Sequence, residues 1–491
     1  MRRIALASAV LAASLSSLTQ ADETIVGFTK LWTHGHTTAG QVSEIPAFDS
    51  KTNTVWVAGV VGVDVLNAST GALVKHIDVT PWGFVNSVAI RDGLAALAIE
   101  AAPDRRNAGS VVFFDTATRE PSTGTVLPRS RPAAYLPSQV TVGSLPDTIT
   151  FTPDGRKLLV ANEATPNAVA DAAYTTPDPA GTVSVIDVRT RTVIATAGFG
   201  GVPQTGANIR SNTGMDFEPE GIAVDSKSRT AYVTLQEANA VGVLDLSQNA
   251  FAQVIGLGAK DFSLPGNEID PKDNDSVVSF RAVAVKGLYT PDGVASFRTE
   301  GETYLVFANE GDYREDNADR STATSFGGVN PLDRLRVSNK DSSTGNLFTN
   351  GARSFSIRDT AGNIVFDSGN ILETEANARG IYDDGRSRDK GVEPEGVAVM
   401  KLEDRVYAFI GLERTTKSAV AVFDVTVPAQ ARFVDMIVTT GDKAPEGLAA
   451  YKHRGKHYLA ISNETVATDA GATTSNTSLY RIEVAEDESE D

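Results

Sequence analysis

Carboxylates recur in this chain at a fixed place beside proline and glycine. Leu145-Pro146-Asp147, Glu218-Pro219-Glu220-Gly221, Thr290-Pro291-Asp292-Gly293, Glu393-Pro394-Glu395-Gly396 and Ala444-Pro445-Glu446-Gly447 each open a short apolar run. In each copy a second apolar run leads to another acid. These are Glu163, Glu237, Glu310, Glu413 and Glu464, lying 16, 17, 18, 18 and 18 residues after the first. Two weaker copies come earlier, around Glu44-Ile45-Pro46 with residues 54–59, and around Asn86-Ser87-Val88 with residues 95–100. Carboxylates gathered in number repel one another unless some are protonated or a cation neutralises them. Cages made of oxygen alone suit hard divalent ions such as calcium, magnesium or manganese. The candidate metal ligands are therefore Glu44, Asp147, Glu220, Asp292, Glu395 and Glu446, with Asn86 in the corresponding place of the second copy. Glu100, Glu163, Glu237, Glu310, Glu413 and Glu464 form an outer set, whose expected role is to cap turn amides or pair with basic neighbours.

Two arginines stand where they could act beside such ions. Arg414 follows Glu413, and Arg314 closes Gly311-Asp312-Tyr313-Arg314. A guanidinium next to bound metal is a common clamp for phosphate or carboxylate, so both are candidate catalytic residues. An ion pair with the neighbouring acids is the competing role for each. Other chemistry is thin. There are no cysteines, which excludes disulfides, thiolate metal sites and a cysteine nucleophile. Of five histidines, His34 and His36 could add imidazole ligands but read as surface loop residues, and His453 and His457 fall on a hairpin. Asp270, Asp273 and Asp275 resemble a calcium loop only in acid density. No phosphate-binding loop, dinucleotide fingerprint or nucleophile elbow occurs in a fitting context.

The elements that must position these acids are short β-runs. After most copies a third run ends in Asp, as at Asp115, Asp187, Asp245 and Asp424, and a fourth run follows. Asp154-Gly155 marks a hairpin turn. Seven copies of three or four antiparallel strands predict an all-β, seven-bladed β-propeller. Residues 24–32 are strand-like and are expected to pair into the last blade. Two packed sandwiches are the alternative, but sandwiches do not repeat one motif seven times. In a propeller the first strand of each blade lines the central channel, so the repeated acids would ring one mouth. The long connections 164–180, 258–286 and 311–346 would wall that opening.

The whole chain has 491 residues, 41% hydrophobic and 22% charged, a globular composition. With 62 Asp and Glu against 44 Lys and Arg the net charge is −18, which repels phosphate backbones and argues against nucleic acid as a partner. Residues 1–21 carry Arg2 and Arg3, an apolar stretch and Thr19-Gln20-Ala21, the layout of a cleaved signal peptide. Residues 22–485 are then the propeller and 486–491 an acidic tail. No later stretch is apolar for long enough to span a bilayer. An exported protein, periplasmic or extracellular, without a transmembrane segment in its mature form, is expected.

The repeated units also resemble the choice-of-anchor I family of exported propellers, which are related to mesenchyme-specific cell-surface glycoproteins. The resemblance rests on Leu145-Pro146-Asp147 with Ala161-Asn162-Glu163, Pro291-Asp292-Gly293 with Ala308-Asn309-Glu310-Gly311-Asp312, Gly258-Ala259-Lys260-Asp261, Gly351-Ala352-Arg353-Ser354-Phe355-Ser356-Ile357, Glu393-Pro394-Glu395-Gly396 and Gly411-Leu412-Glu413-Arg414. It spans roughly residues 24–485. It implies a seven-bladed propeller at an exported or surface location. Some members are called alkaline phosphatases, and other propeller phosphatases hold calcium or manganese at the channel mouth. The expected function is thus a metal-dependent phosphoesterase acting on a phosphorylated small molecule. The alternative is a non-catalytic, calcium-dependent propeller that binds a surface ligand.

Overall fold

The computed structural model describes residues 25–126, 134–165, 179–210, 217–313, 319–402, 404–464 and 475–485. The expected signal segment, the acidic tail and Arg314 lie outside the described residues. The described chain is all-β, with one α-helix, Ile371–Ala378, and three short 3-10 turns.

Seven sheets of four or five strands follow one another along the sequence. The first is built from Pro46–Asp49, Thr54–Gly59, Gly62–Asn67 and Leu73–Asp78, each strand pairing antiparallel with the next. The second to sixth open with Phe84–Arg91, Pro146–Phe151, Pro219–Val224, Val294–Thr299 and Pro394–Leu402. The seventh joins Pro445–His453, Lys456–Asn463 and Asn476–Val484 to the chain's first strand, Ile25–Gly35, which pairs antiparallel with Asn476–Val484. The pairing expected for residues 24–32 is thus present from Ile25 onward. The Asp154-Gly155 turn also forms as expected, between Pro146–Phe151 and Lys157–Asn162.

Alternation along each strand explains how the sheets stack, because successive side chains point to opposite faces. In Arg405–Leu412, Ala408 and Ile410 enter a core shared with Phe355 and Ile357 of the fifth sheet. Tyr407 and Phe409 of the same strand enter a core with Leu459 and Ile461 of the seventh. Comparable cores join each sheet to its successor. Val55 and Val57 of the first sheet close the series by packing on Ala460 and Leu479 of the seventh. The opening strands likewise touch in cyclic order, with Pro46–Asp49 against Pro445–His453 completing the circuit. This is a propeller-like arrangement.

Two insertions build a layer of their own. Ala259–Asp261, Val285–Leu288 and Leu347–Asn350 form a small sheet, and Arg320–Thr322 pairs with Arg336–Ser338. Phe262, Ile269, Leu335 and Val337 give this layer a separate core. Among the described residues no helix is long and apolar enough to cross a membrane.

The histidine expectations need correction. His34 lies at the end of the first strand, and His36 is buried rather than on a surface loop. His453 and His457 do fall on a hairpin as expected, between Pro445–His453 and Lys456–Asn463, and His457 is buried there. The cluster around Asp270 is structural. Asp273 holds Arg334 at 2.6 Å and Arg388 at 3.1 Å, and Asp270 accepts from Ser387 Oγ at 3.2 Å.

Candidate metal centre

The Pro-acid-Gly signature is a backbone device. In four of the sheets the ladder pairs at the proline and again three residues later, leaving the acid and the next residue in a bulge. A bulge bends the strand and re-aims a side chain, here turning the acid out of the sheet. The residue before proline adopts positive φ at Leu145 (43°), Thr290 (33°), Glu393 (50°) and Ala444 (49°). That conformation is costly for residues with a β-carbon, and it is held by the partner strand. The freed carbonyls accept from Glu163 N at 2.9 Å, Gly311 N at 3.0 Å, Glu413 N at 2.9 Å and Glu464 N at 2.7 Å. One hydrogen bond thereby ties the inner acid's turn to the outer acid's strand.

The glycine after the acid is where neighbouring sheets meet. A β-carbon at Gly221 would lie 2.8 Å from the carbonyl oxygen of Asp292. At Gly293, Gly396 and Gly447 it would collide with the carbonyls of Glu395, Glu446 and Glu44. The backbones of Asp292, Glu395, Glu446 and Glu44 thus seat on the glycine of the preceding copy.

The acids face two connected cavities. One, of about 420 Å³, is lined by Asp147, Glu163, Glu220, Asp292, Glu310, Asp312, Asp389, Glu393, Glu395 and Glu413, with Arg320, Arg386, Lys390 and Arg414. Ten carboxylates thus face four basic groups. The other, of about 480 Å³, shares Asp147, Glu163, Asp292 and Glu395 and continues past Glu44 and Glu446 along apolar side chains such as Ile222, Val294 and Val397.

Within this space three sets of carboxylates place one oxygen each within 4.8 Å of one another: Asp292, Glu310 and Glu395; Glu395, Glu413 and Glu446; and Glu310, Glu393 and Glu413. Oxygens sharing one calcium at about 2.4 Å can stand no more than about 4.8 Å apart. Of the expected ligands, Asp292, Glu395 and Glu446 converge. Asp147 and Glu220 line the larger acidic surface without joining such a set, and Glu44 lies on the neighbouring cavity. Arg414 faces the acids, 2.5 Å from Glu413 and 3.9 Å from Glu393. The outer acids Glu310 and Glu413, expected to be structural, are full members of the cluster.

Three groups escaped sequence reading. Glu393 is buried and takes Arg386 Nε at 2.7 Å and Lys390 at 2.9 Å. Lys390, itself buried, also reaches Glu310 at 2.5 Å and Asp312 at 3.1 Å. Lys390 and Arg386 come from the segment after the helix, which follows no repeat. Their only sequence signal is the dense charge of Arg386-Ser387-Arg388-Asp389-Lys390.

Crowding shows in the proton affinities. Burial, then Glu413, pushes Glu395 well above the ordinary carboxyl range. Burial, then Glu310, does the same to Asp292, and burial with Glu413 and Glu464 to Glu446. Burial raises Glu413 to about 8 although Arg414 opposes it. Burial takes Asp147 to about 6 and, with Asp147 beside it, Glu163 to about 8. On the far side of the mouth the pressure is relieved. Asn86 replaces an acid and donates to Pro146 O at 3.1 Å; burial still raises Glu100 and Asp147, but Arg105 opposes it at Glu100, and Thr148 and then Arg105 oppose it at Asp147.

The residues fit a divalent cation. Glu395 Oε2 and Glu220 Oε2 are sealed from solvent without a hydrogen-bond partner, and the donors are oxygen alone. Fold and site define a propeller-like β protein with an acidic, partly neutralised cavity where its inner strands meet. The chain belongs to the choice-of-anchor I family, whose domain it matches over residues 44–428. Among solved structures it is similar to hydrazine synthase of Kuenenia stuttgartiensis, with 12% identity, 89% of this chain and 98% of that one covered, and a TM-score of 0.49. It is also similar to a chain of a mitotic checkpoint complex, with 10% identity, 98% and 99% covered, and a TM-score of 0.46. No curated protein matches the chain.

Proposed function

We propose that the protein is an exported, closed seven-bladed propeller that holds divalent cations at the Glu395 cluster and hydrolyses phosphate esters there. The observation that carries this is the position of Glu395. It belongs to both the Asp292–Glu310 and the Glu413–Glu446 carboxylate sets, and the cavity it faces is also lined by Arg414 and Arg386. Export is supported by family membership together with the apolar stretch in residues 1–21.

Asp292, Glu310, Glu395, Glu413 and Glu446 would hold the cations; the all-oxygen donor set suits a hard divalent ion, and the family resemblance points to calcium or manganese among these. A bound divalent ion supplies charge neutralisation at a phosphoryl group and acidifies water. The chain's own part is orientation. Glu393 fixes Arg386 through Nε, and Glu413 fixes Arg414, so two guanidiniums are held at the cavity wall before substrate arrives. Guanidinium forks match phosphoryl oxygens two at a time. Once ionised, these carboxylates outnumber the basic groups and repel a phosphate until cations enter, so substrate binding in that state depends on metal.

A non-catalytic, calcium-dependent binding propeller is the second reading. It is favoured by Lys390, whose ammonium already neutralises Glu310, Asp312 and Glu393 as a structural ion would. Hydrolysis of p-nitrophenyl phosphate by chelator-stripped protein, refilled separately with calcium, manganese or magnesium, separates the two. Turnover restored by one ion and lost in Glu395→Gln supports the esterase. Cation-dependent stability without turnover supports the binding propeller.

A further inference from the structure

A second cluster of possible ligands lies away from the acidic cavity, at the seam where the beginning and end of the chain meet. Three of the five histidines gather there around one carboxylate. His34 and His36 arrive on and just after the strand Ile25–Gly35, while Asp64 and His76 face each other across the first sheet. His36 Nδ1 is 2.6 Å from Asp64 Oδ2, and His76 Nδ1 is 2.6 Å from Asp64 Oδ1. The rings of His34 and His36 meet edge to face at 5.2 Å. His34, His36 and Asp64 place one ligand atom each within 4.8 Å of one another.

We propose that His34, His36 and Asp64 form a site for a borderline transition-metal ion, with zinc as the type case, while His76 holds Asp64 through its other oxygen. Imidazole nitrogens with one carboxylate are the donor set of zinc, nickel and copper rather than of calcium. The outer sphere is already built. His36 Nε2 is 2.9 Å from Thr477 Oγ1, which in turn is 2.9 Å from Ser43 Oγ, so its Nδ1 is the nitrogen aimed at Asp64. Partners of this kind fix ring orientation and tautomer in metal sites. The side chains of His36 and Asp64 are sealed, whereas that of His76 is 21% exposed and offers the way in. Imidazole binds a metal only in its neutral form, so binding should weaken in acid. An ion there would cross-link the N-terminal strand to the first sheet.

The test uses the untagged mature chain, dialysed against zinc with calcium in excess so that the carboxylate cluster is occupied by the harder ion. The expected result is one zinc per chain and imidazole scattering in its X-ray absorption spectrum. Binding should be weakened at least tenfold by His34→Gln and by His36→Gln, and unchanged in Glu395→Gln. His34→Gln leaves the buried His36–Asp64 pair in place and keeps the test valid should His36→Gln fail to fold. Zinc uptake lost in Glu395→Gln but kept in His34→Gln, or no stoichiometric zinc at all, would overturn the site and leave the cluster a hydrogen-bonded staple.

Discussion

Gly396 lies against the main-chain carbonyl of Glu446 with no room for a β-carbon between them. The same relation links Gly293 to Glu395 and Gly447 to Glu44. Where glycine follows the acid, it sets the distance to the next acid, and the spacing of the Asp292, Glu395 and Glu446 cluster is a property of sheet-to-sheet packing.

It follows that Gly396→Ala should weaken both fold and site. Overpacking of this kind costs about 1–3 kcal/mol. Denaturant unfolding should show that loss, and calorimetry should show weaker calcium binding although no ligand has been changed.

Lys390 is the counter-ion for Glu310, Asp312 and Glu393. Lys390→Met strands those carboxylates, and removing one partner of a buried pair costs about 3–5 kcal/mol. The variant should unfold more readily, and added divalent cation should recover more stability in it than in the parent protein. Equal cation effects in the two would mean that Lys390 and the metal do not share the cluster.

The carboxyls held at about 6 for Asp147, about 7 for Glu237 and about 8 for Glu44, Glu163 and Glu413 bind protons more tightly folded than unfolded. Their contribution is fully present below the unfolded value of about 4 and is lost as pH rises through the folded values. Metal-free protein should therefore lose thermal stability from about pH 5 to about pH 8, and the stabilisation by calcium or manganese should grow over the same window. Melting curves at fixed ionic strength measure both.

Arg414→Lys keeps the charge but loses the planar fork. If Arg414 clamps a phosphoryl group, kcat/KM for a phosphate ester should fall on the order of a hundredfold while cation affinity changes little. A parallel fall in cation affinity would assign Arg414 to holding Glu413 instead.

What was legible in the sequence was whatever repeats. Asp292, Glu395 and Glu446 announce themselves because Pro-acid-Gly recurs with constant spacing to a second acid, and the strand pattern recurs with it. Glu393 was hidden because a residue before proline looks like any loop position, and nothing in the letters shows its burial or its φ of 50°. Lys390 reaches Glu310 across 80 residues from a segment that matches no other. His36 meets Asp64 and Thr477, 28 and 441 residues away, only because the first strand pairs into the last sheet. Local pattern marks elements that each copy builds alone; it is silent on contacts made where the first strand joins the last sheet.

Whether the carboxylates around Glu395 hold divalent cations can be seen in crystals grown with manganese and measured on either side of its absorption edge. An anomalous peak is expected within ligand distance of Glu395, shared with Asp292 and Glu310 or with Glu413 and Glu446. Well-ordered carboxylates with no peak between them, held by protons and Lys390 alone, would contradict cation binding there.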